Sequence, residues 1–165
     1  MELITGYTNE QRSCIQPFVE SAIDVIAKFS KVEALPVGGY VKTDGYTWGD
    51  ITGIIAVSGD KATGSMMISF QQSIILSVVS NMFAMEYKAI DRDVIDAVGE
   101  VTNIVCGSAK KGLIDMGLSV HMASPTVVVG KGVLVGVSGP HEVFAIQCDS
   151  SVGSFVVETN LVKPL

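Results

Sequence analysis

The sequence predicts an α/β chain of the α+β type, an antiparallel sheet covered by long helices. Long stretches with apolar residues at three-and-four spacing stand beside short valine-rich runs bounded by glycine. Two of those runs are joined by a hairpin signal. No strand–helix–strand alternation occurs, which disfavours a doubly wound parallel sheet.

From about Glu10 to Lys31, the residues Ile15, Phe18, Val19, Ala22, Ile23 and Ile26 give a helical stripe. Leu35-Pro-Val-Gly-Gly breaks it, and the stretch to Gly49 reads as turns. Ile51–Val57 and Ser65–Phe70 read as strands joined across Ser58-Gly-Asp-Lys-Ala-Thr-Gly. Gln71–Met85 reads as an apolar helix and Asp91–Met116 as a longer one, with Asp91 at its N-cap. The last third is β-rich: Thr126–Gly130, Val133–Val137, Val143–Cys148 and Phe155–Val157 are punctuated by Gly130-Lys-Gly, Ser138-Gly-Pro-His and Asp149-Ser-Ser. Helix followed by glycine-bounded strands occurs twice, so we expect one domain over 1–165 with pseudo-repeat halves at about 10–86 and 91–160.

A chain of 165 residues can bury a good core. It is 48% hydrophobic and 17% charged, which excludes a disordered chain. A net charge of −6 without any Lys/Arg cluster argues against nucleic acid and leaves a protein or small-molecule partner. Cys14, Cys106 and Cys148 lie far apart with no Cys-x-x-Cys pair, so they read as buried thiols and not as a zinc site or a disulfide framework. The start Met1-Glu-Leu-Ile-Thr lacks the pattern of a signal peptide. Ile74–Met85, interrupted by Ser77, Ser80 and Asn81, is too short to span a bilayer. The expected location is the cytoplasm.

The long second-half helix has two unlike sides. Val94, Val98, Val101, Val105 and Ala109 share a core stripe, while Asp96, Glu100, Asn103 and Gly107 share the opposite ridge. Glycine inside a helix costs about 1 kcal/mol relative to alanine, and this helix holds Gly99 and Gly107. A partner that must approach the helix backbone closely would explain both. Other candidates are weaker. His121 and His141 have no ligand at metal spacing, so no metal site is expected. Gly130-Lys-Gly and the glycines around Gly136 precede no helix and read as turns, and Ser138 lacks an elbow context. Tyr46 and Trp48 read by default as core aromatics, with exposed interface aromatics the alternative.

Asp96, Glu100 and Asn103, followed by Pro125, together with the surrounding Asp-Ala-Val-Gly-Glu-Val-Thr-Asn-Ile-Val-Cys-Gly-Ser-Ala-Lys, resemble the signature of the CheC/CheX family of chemotaxis phosphatases. The resemblance runs from the helix near Cys14 to the strand near Val157. It implies CheC-like duplicated helix–strand units, in which each half can carry an acid-and-amide helix. In the first half Glu20 is present, but Ile23 stands where the amide would be. An isoleucine cannot orient water, so the chain is most similar to the single-site CheX branch.

The implied substrate is the phosphoaspartate of a CheY-like receiver domain. The resemblance makes Asn103 the residue that orients the attacking water and Glu100 the one that reaches the receiver's lysine. Asp96, Gly99 and Gly107 become docking residues, and Pro125 a structural one. It implies no cofactor of this chain's own, with Mg²⁺ supplied by the receiver, and a homodimer paired through its sheets. The alternative from another class is a non-catalytic adaptor of the same fold, binding a receiver or a flagellar-switch partner.

Overall fold

The computed structural model describes residues 9–136 and 142–161, with side chains from Cys14 onward. In chain order the elements are α1 (Asn9–Ser30), β1 (Ala34–Lys42), β2 (Ile51–Gly59), β3 (Ala62–Phe70), α2 (Gln72–Phe83), α3 (Arg92–Asp115), β4 (His121–Met122), β5 (Thr126–Val129), β6 (Val143–Ser150) and β7 (Gly153–Thr159). Among the described residues the seven strands form one antiparallel sheet in the order β1-β6-β7-β3-β2-β4, with β5 also paired to β2.

Alternation along each strand decides which side chains face the helices. Ile51, Ile55 and Val57 of β2, Met66, Ile68 and Phe70 of β3, Phe144, Ile146 and Cys148 of β6, and Phe155 and Val157 of β7 share one buried cluster with the helices. Helix α1 packs on α2 and α3, and α3 lies over β2 and β5. The hairpin expected between Ile51 and Phe70 is present, but its strands run on until only Asp60 and Lys61 separate the paired Gly59 and Ala62. Helix α2 ends where Ala84 turns left-handed at φ 52°, its N–H bonding back to Ser80.

The expectation of turns between Leu35 and Gly49 is corrected: Ala34–Lys42 is strand β1. Proline and glycine are tolerated there because, among the described residues, β1 lies at the sheet edge and pairs with β6 alone. The register slips between Pro36 and Gly38, which accommodates Val37 as an extra residue. The strand expected at Val133–Val137 is also corrected. Its described part holds a single bridge, Leu134 to Tyr46, and Val137 lies outside the described residues, as do Ser138 and His141.

The centre of the sheet's other face is buried as well. Thr52, Ser69, Ala145, Val156 and Glu158 are each 0% exposed. Here the segment after β1 pairs with the segment after β5. Thr47 N–H donates to Val133 O at 2.9 Å, and Gly132 N–H to Thr47 O at 3.0 Å. Lys42 Nζ holds this strap to the sheet, donating to Tyr46 O and to Glu158 Oε1, the latter at 2.9 Å.

Candidate active site

Helix α3 starts as its sequence requires: the Asp91 carboxylate accepts from Val94 N–H at 3.0 Å. Its apolar stripe is then sealed, with Val94, Val98, Val101 and Val105 all 0% exposed. Because each helical residue turns about 100° from the last, burying that stripe turns Asp96, Glu100, Asn103 and Gly107 outward, and all four are exposed. The side chains of Asp96, Glu100 and Asn103 make no hydrogen bond or ion pair with any described residue.

The two glycines differ. A β-carbon at Gly107 would meet nothing within 4 Å, so no internal contact demands a glycine there. Gly99 is half-buried, and its β-carbon would stand 3.7 Å from Val127 of β5, an ordinary contact. Neither glycine is imposed by packing. Pro125 lies in the short link between β4 and β5, directly before the strand whose Val127 faces Gly99 of α3.

Gly53 and Gly112, by contrast, are imposed by packing on α3. A β-carbon on Gly53 of β2 would fall 1.8 Å from Thr102 Oγ1, and one on Gly112 of α3 would fall 2.9 Å from Pro17 Cβ of α1. An isolated glycine inside an apolar strand was the available signal for the first. Past Gly107 the helices α1 and α3 leave an open hollow of about 230 Å³, bordered by Glu20, Ser21, Ser108, Lys111 and Asp115. On α1 the position corresponding to Asn103 is Ile23, half-buried against the core.

The remaining reactive side chains are disarmed. Burial pushes the thiols of Cys106 and Cys148 up to about 12, and all three cysteines are buried. Among the described residues no group of three or more His, Cys, Asp or Glu side chains could hold a metal ion. His121 is exposed on β4, Tyr46 is exposed and Trp48 only half-buried. No helix among the described residues is long and apolar enough to cross a membrane. The exposed acid, amide and glycine of α3 can orient a small molecule such as water and face another macromolecule. They are not arranged as a nucleophile and its base.

Comparison with known proteins sets this geometry among relatives. Residues 51–149, which include all of α3, match the family of the chemotaxis phosphatase CheX. The CheY-P phosphatase CheX of Thermotoga maritima is 35% identical over 79 residues, 47% of this chain and 50% of the relative, so the match spans half the relative's length. Two solved structures resemble nearly the whole fold. A CheC-like superfamily protein from Shewanella sp. PV-4 is 32% identical, covers 90% of this chain and 97% of its own, and superposes with a TM-score of 0.81. The chemotaxis protein CheX from Vibrio vulnificus is 31% identical over 90% of this chain and 98% of its own, with a TM-score of 0.79. At 20% identity and a TM-score of 0.72, the same fold occurs in a CheX–CheY–BeF₃–Mg²⁺ complex from Borrelia burgdorferi, over 90% of this chain and 97% of that one.

Proposed function

This chain belongs to the family of the chemotaxis phosphatase CheX, and from that premise we propose that it hydrolyses the aspartyl phosphate of a CheY-like response regulator. The observation that carries the reading is the exposed pair Glu100 and Asn103 on a helix whose opposite side is wholly buried. Neither side chain has a described partner to satisfy it, so both are free to engage a second protein.

Acyl phosphate hydrolysis needs little covalent help. Water attacks phosphorus in line, the bond from phosphorus to the aspartyl oxygen breaks, and carboxylate and inorganic phosphate leave. Asn103 offers one acceptor and two donors, so its amide fixes the water on the attack line without taking its proton. Glu100, nearly one turn earlier, gives a charge-assisted contact to the receiver's lysine and sets the register. Asp96 and Gly107 extend the docking ridge, and Gly99 lies at its margin. Mg²⁺ belongs to the receiver in this reading, and the Borrelia CheX–CheY complex contains Mg²⁺ together with BeF₃. The reaction is assigned to the cytoplasm, where receivers work.

A homodimer is part of the same proposal. What supports it is the edge strand β1, whose outer side pairs with no other strand among the described residues and which exposes Leu35 and Val37 at 67% and 55%.

The test separates the two roles. Asn103→Ala is expected to lower kcat about 100-fold while the beryllofluoride-loaded receiver still binds. Glu100→Ala is expected to weaken that binding by about tenfold. Native kcat in Asn103→Ala overturns the assignment of the water to that amide.

A further inference from the structure

Helix α3 packs tightly on β2 at the residue next to its proposed water-orienting Asn103. Thr102 is fully buried, and its hydroxyl donates to Val98 O, one turn back, at 2.7 Å. Its side chain sits directly over Gly53 of β2. The place where a β-carbon of residue 53 would stand is 1.8 Å from Thr102 Oγ1, 2.9 Å from its Cβ and 3.1 Å from its Cγ2. Gly53 pairs across the ladder with Val127, and Val127 is the residue that Gly99 faces. Thr102 and Gly99, three residues apart, therefore seat one side of α3 on two adjacent strands.

We propose that Thr102 is a positioning residue for the phosphatase reaction: it is a knob locked in the Gly53 notch, and the lock sets where Asn103 holds the attacking water. The proposal rests on the water-orienting reading of Asn103 and goes beyond it by naming what holds that amide in place. Asn103 follows Thr102 by one residue, so its direction lies about 100° around the helix from the knob. A valine stripe alone allows small repacking movements. A branched side chain with a back-bonded hydroxyl, resting on backbone, allows neither rotation nor sliding of the helix without leaving the notch. In-line attack has little tolerance for such movement, since a displacement of about 1 Å can cost roughly 100-fold in rate. Docking of a large partner surface tolerates it far better.

The experiment measures kcat, the Kd for a beryllofluoride-loaded receiver, and thermal unfolding for native protein, Gly53→Ala, Thr102→Ala and Thr102→Ser. Gly53→Ala fills the notch and is expected to lower kcat by about 10- to 100-fold with Kd within about threefold of native. Thr102→Ala empties the notch without adding bulk, and serves if Gly53→Ala does not fold. It is expected to lower kcat about tenfold, with Thr102→Ser restoring part of the loss because the back-bonded hydroxyl returns without the branch methyl. A native kcat in folded Thr102→Ala overturns the proposal, as does a joint loss of kcat and binding in proportion to unfolded protein. If native protein itself leaves receiver decay unchanged, the phosphatase reading falls separately. The Asn103 side-chain amide signals in nuclear magnetic resonance then decide the lock: displacement of those signals in Thr102→Ala supports it, and native positions overturn it.

Discussion

Asn103 meets solvent on α3, whereas Glu158 of β7 is a carboxylate with none of its surface exposed. One oxygen of Glu158 bonds Lys42 at 2.9 Å, and Oε2 has no hydrogen-bond partner among the described residues. Desolvation by burial pushes its pKa up, Lys42 opposes that shift, and Asp44 adds to it. Tyr40, also on β1, has its phenol raised by burial and then by Glu158. The sign of the pH dependence follows. Below the ordinary value of 4.5 both folded and unfolded chains hold this proton. As pH rises past it, the unfolded chain releases the proton first, so the contribution of Glu158 to stability declines until the raised folded pKa is passed, and is flat beyond. Urea unfolding of native protein and Glu158→Gln from about pH 4 to about pH 7 should show native losing stability relative to the variant. A relative gain by native would contradict the buried-carboxylate account. The ridge of Asp96, Glu100 and Asn103 was legible because helical spacing alone turns it away from the valine stripe. Glu158 was not legible, since its partner Lys42 lies 116 residues away and periodicity carries no information about such pairs.

At the level of the element, α3 was read nearly to the residue. Its N-cap, its stripe and its end near Met116 all follow local rules. Asp91→Ala should destabilise the fold by about 1 kcal/mol in thermal melts, because Val94 N–H loses its acceptor. No change would mean that the cap adds nothing. Gly107 allows a sharper test, because a β-carbon there meets only open space. Gly107→Ala should raise stability by about 1 kcal/mol, while Gly107→Arg should weaken receiver binding without lowering the melting temperature. Unaltered binding by the arginine variant would remove Gly107 from the docking surface. Strands were read less well. Leu35-Pro-Val-Gly-Gly carries every local signal of a turn, yet pairing with β6 and the slip at Val37 make it an edge strand. The run from Val133 carries every local signal of a strand, yet its described part makes a single bridge, to Tyr46, and bonds to Gly45 and Thr47 beside it. Tertiary pairing overrode propensity in both directions.

For the whole molecule, an antiparallel sheet with helices packed on it was legible in the punctuation of the valine runs, but the strand order was not. Strands β1 and β2 are consecutive in sequence and have β6, β7 and β3 between them in the sheet. Nothing in either strand's own residues specifies that interval. The order has a consequence, because it leaves β1 at an edge with Leu35 and Val37 exposed. If the chain pairs as the proposed homodimer, Val37→Lys should convert it to a monomer in sedimentation equilibrium with its fold intact, since a charged edge resists pairing. A dimer that persists would move the interface elsewhere. The same sheet holds α3 on its other side, with Gly53 admitting Thr102 and the ridge facing out. The central claim is that this ridge catalyses the loss of phosphate and does not merely bind a receiver. The direct measurement is the decay of a ³²P-labelled phosphoreceiver in its own Mg²⁺ buffer, with and without the native chain. The account predicts faster decay when the chain is present. A receiver that binds the chain and decays at its unassisted rate would contradict it and make the protein an adaptor.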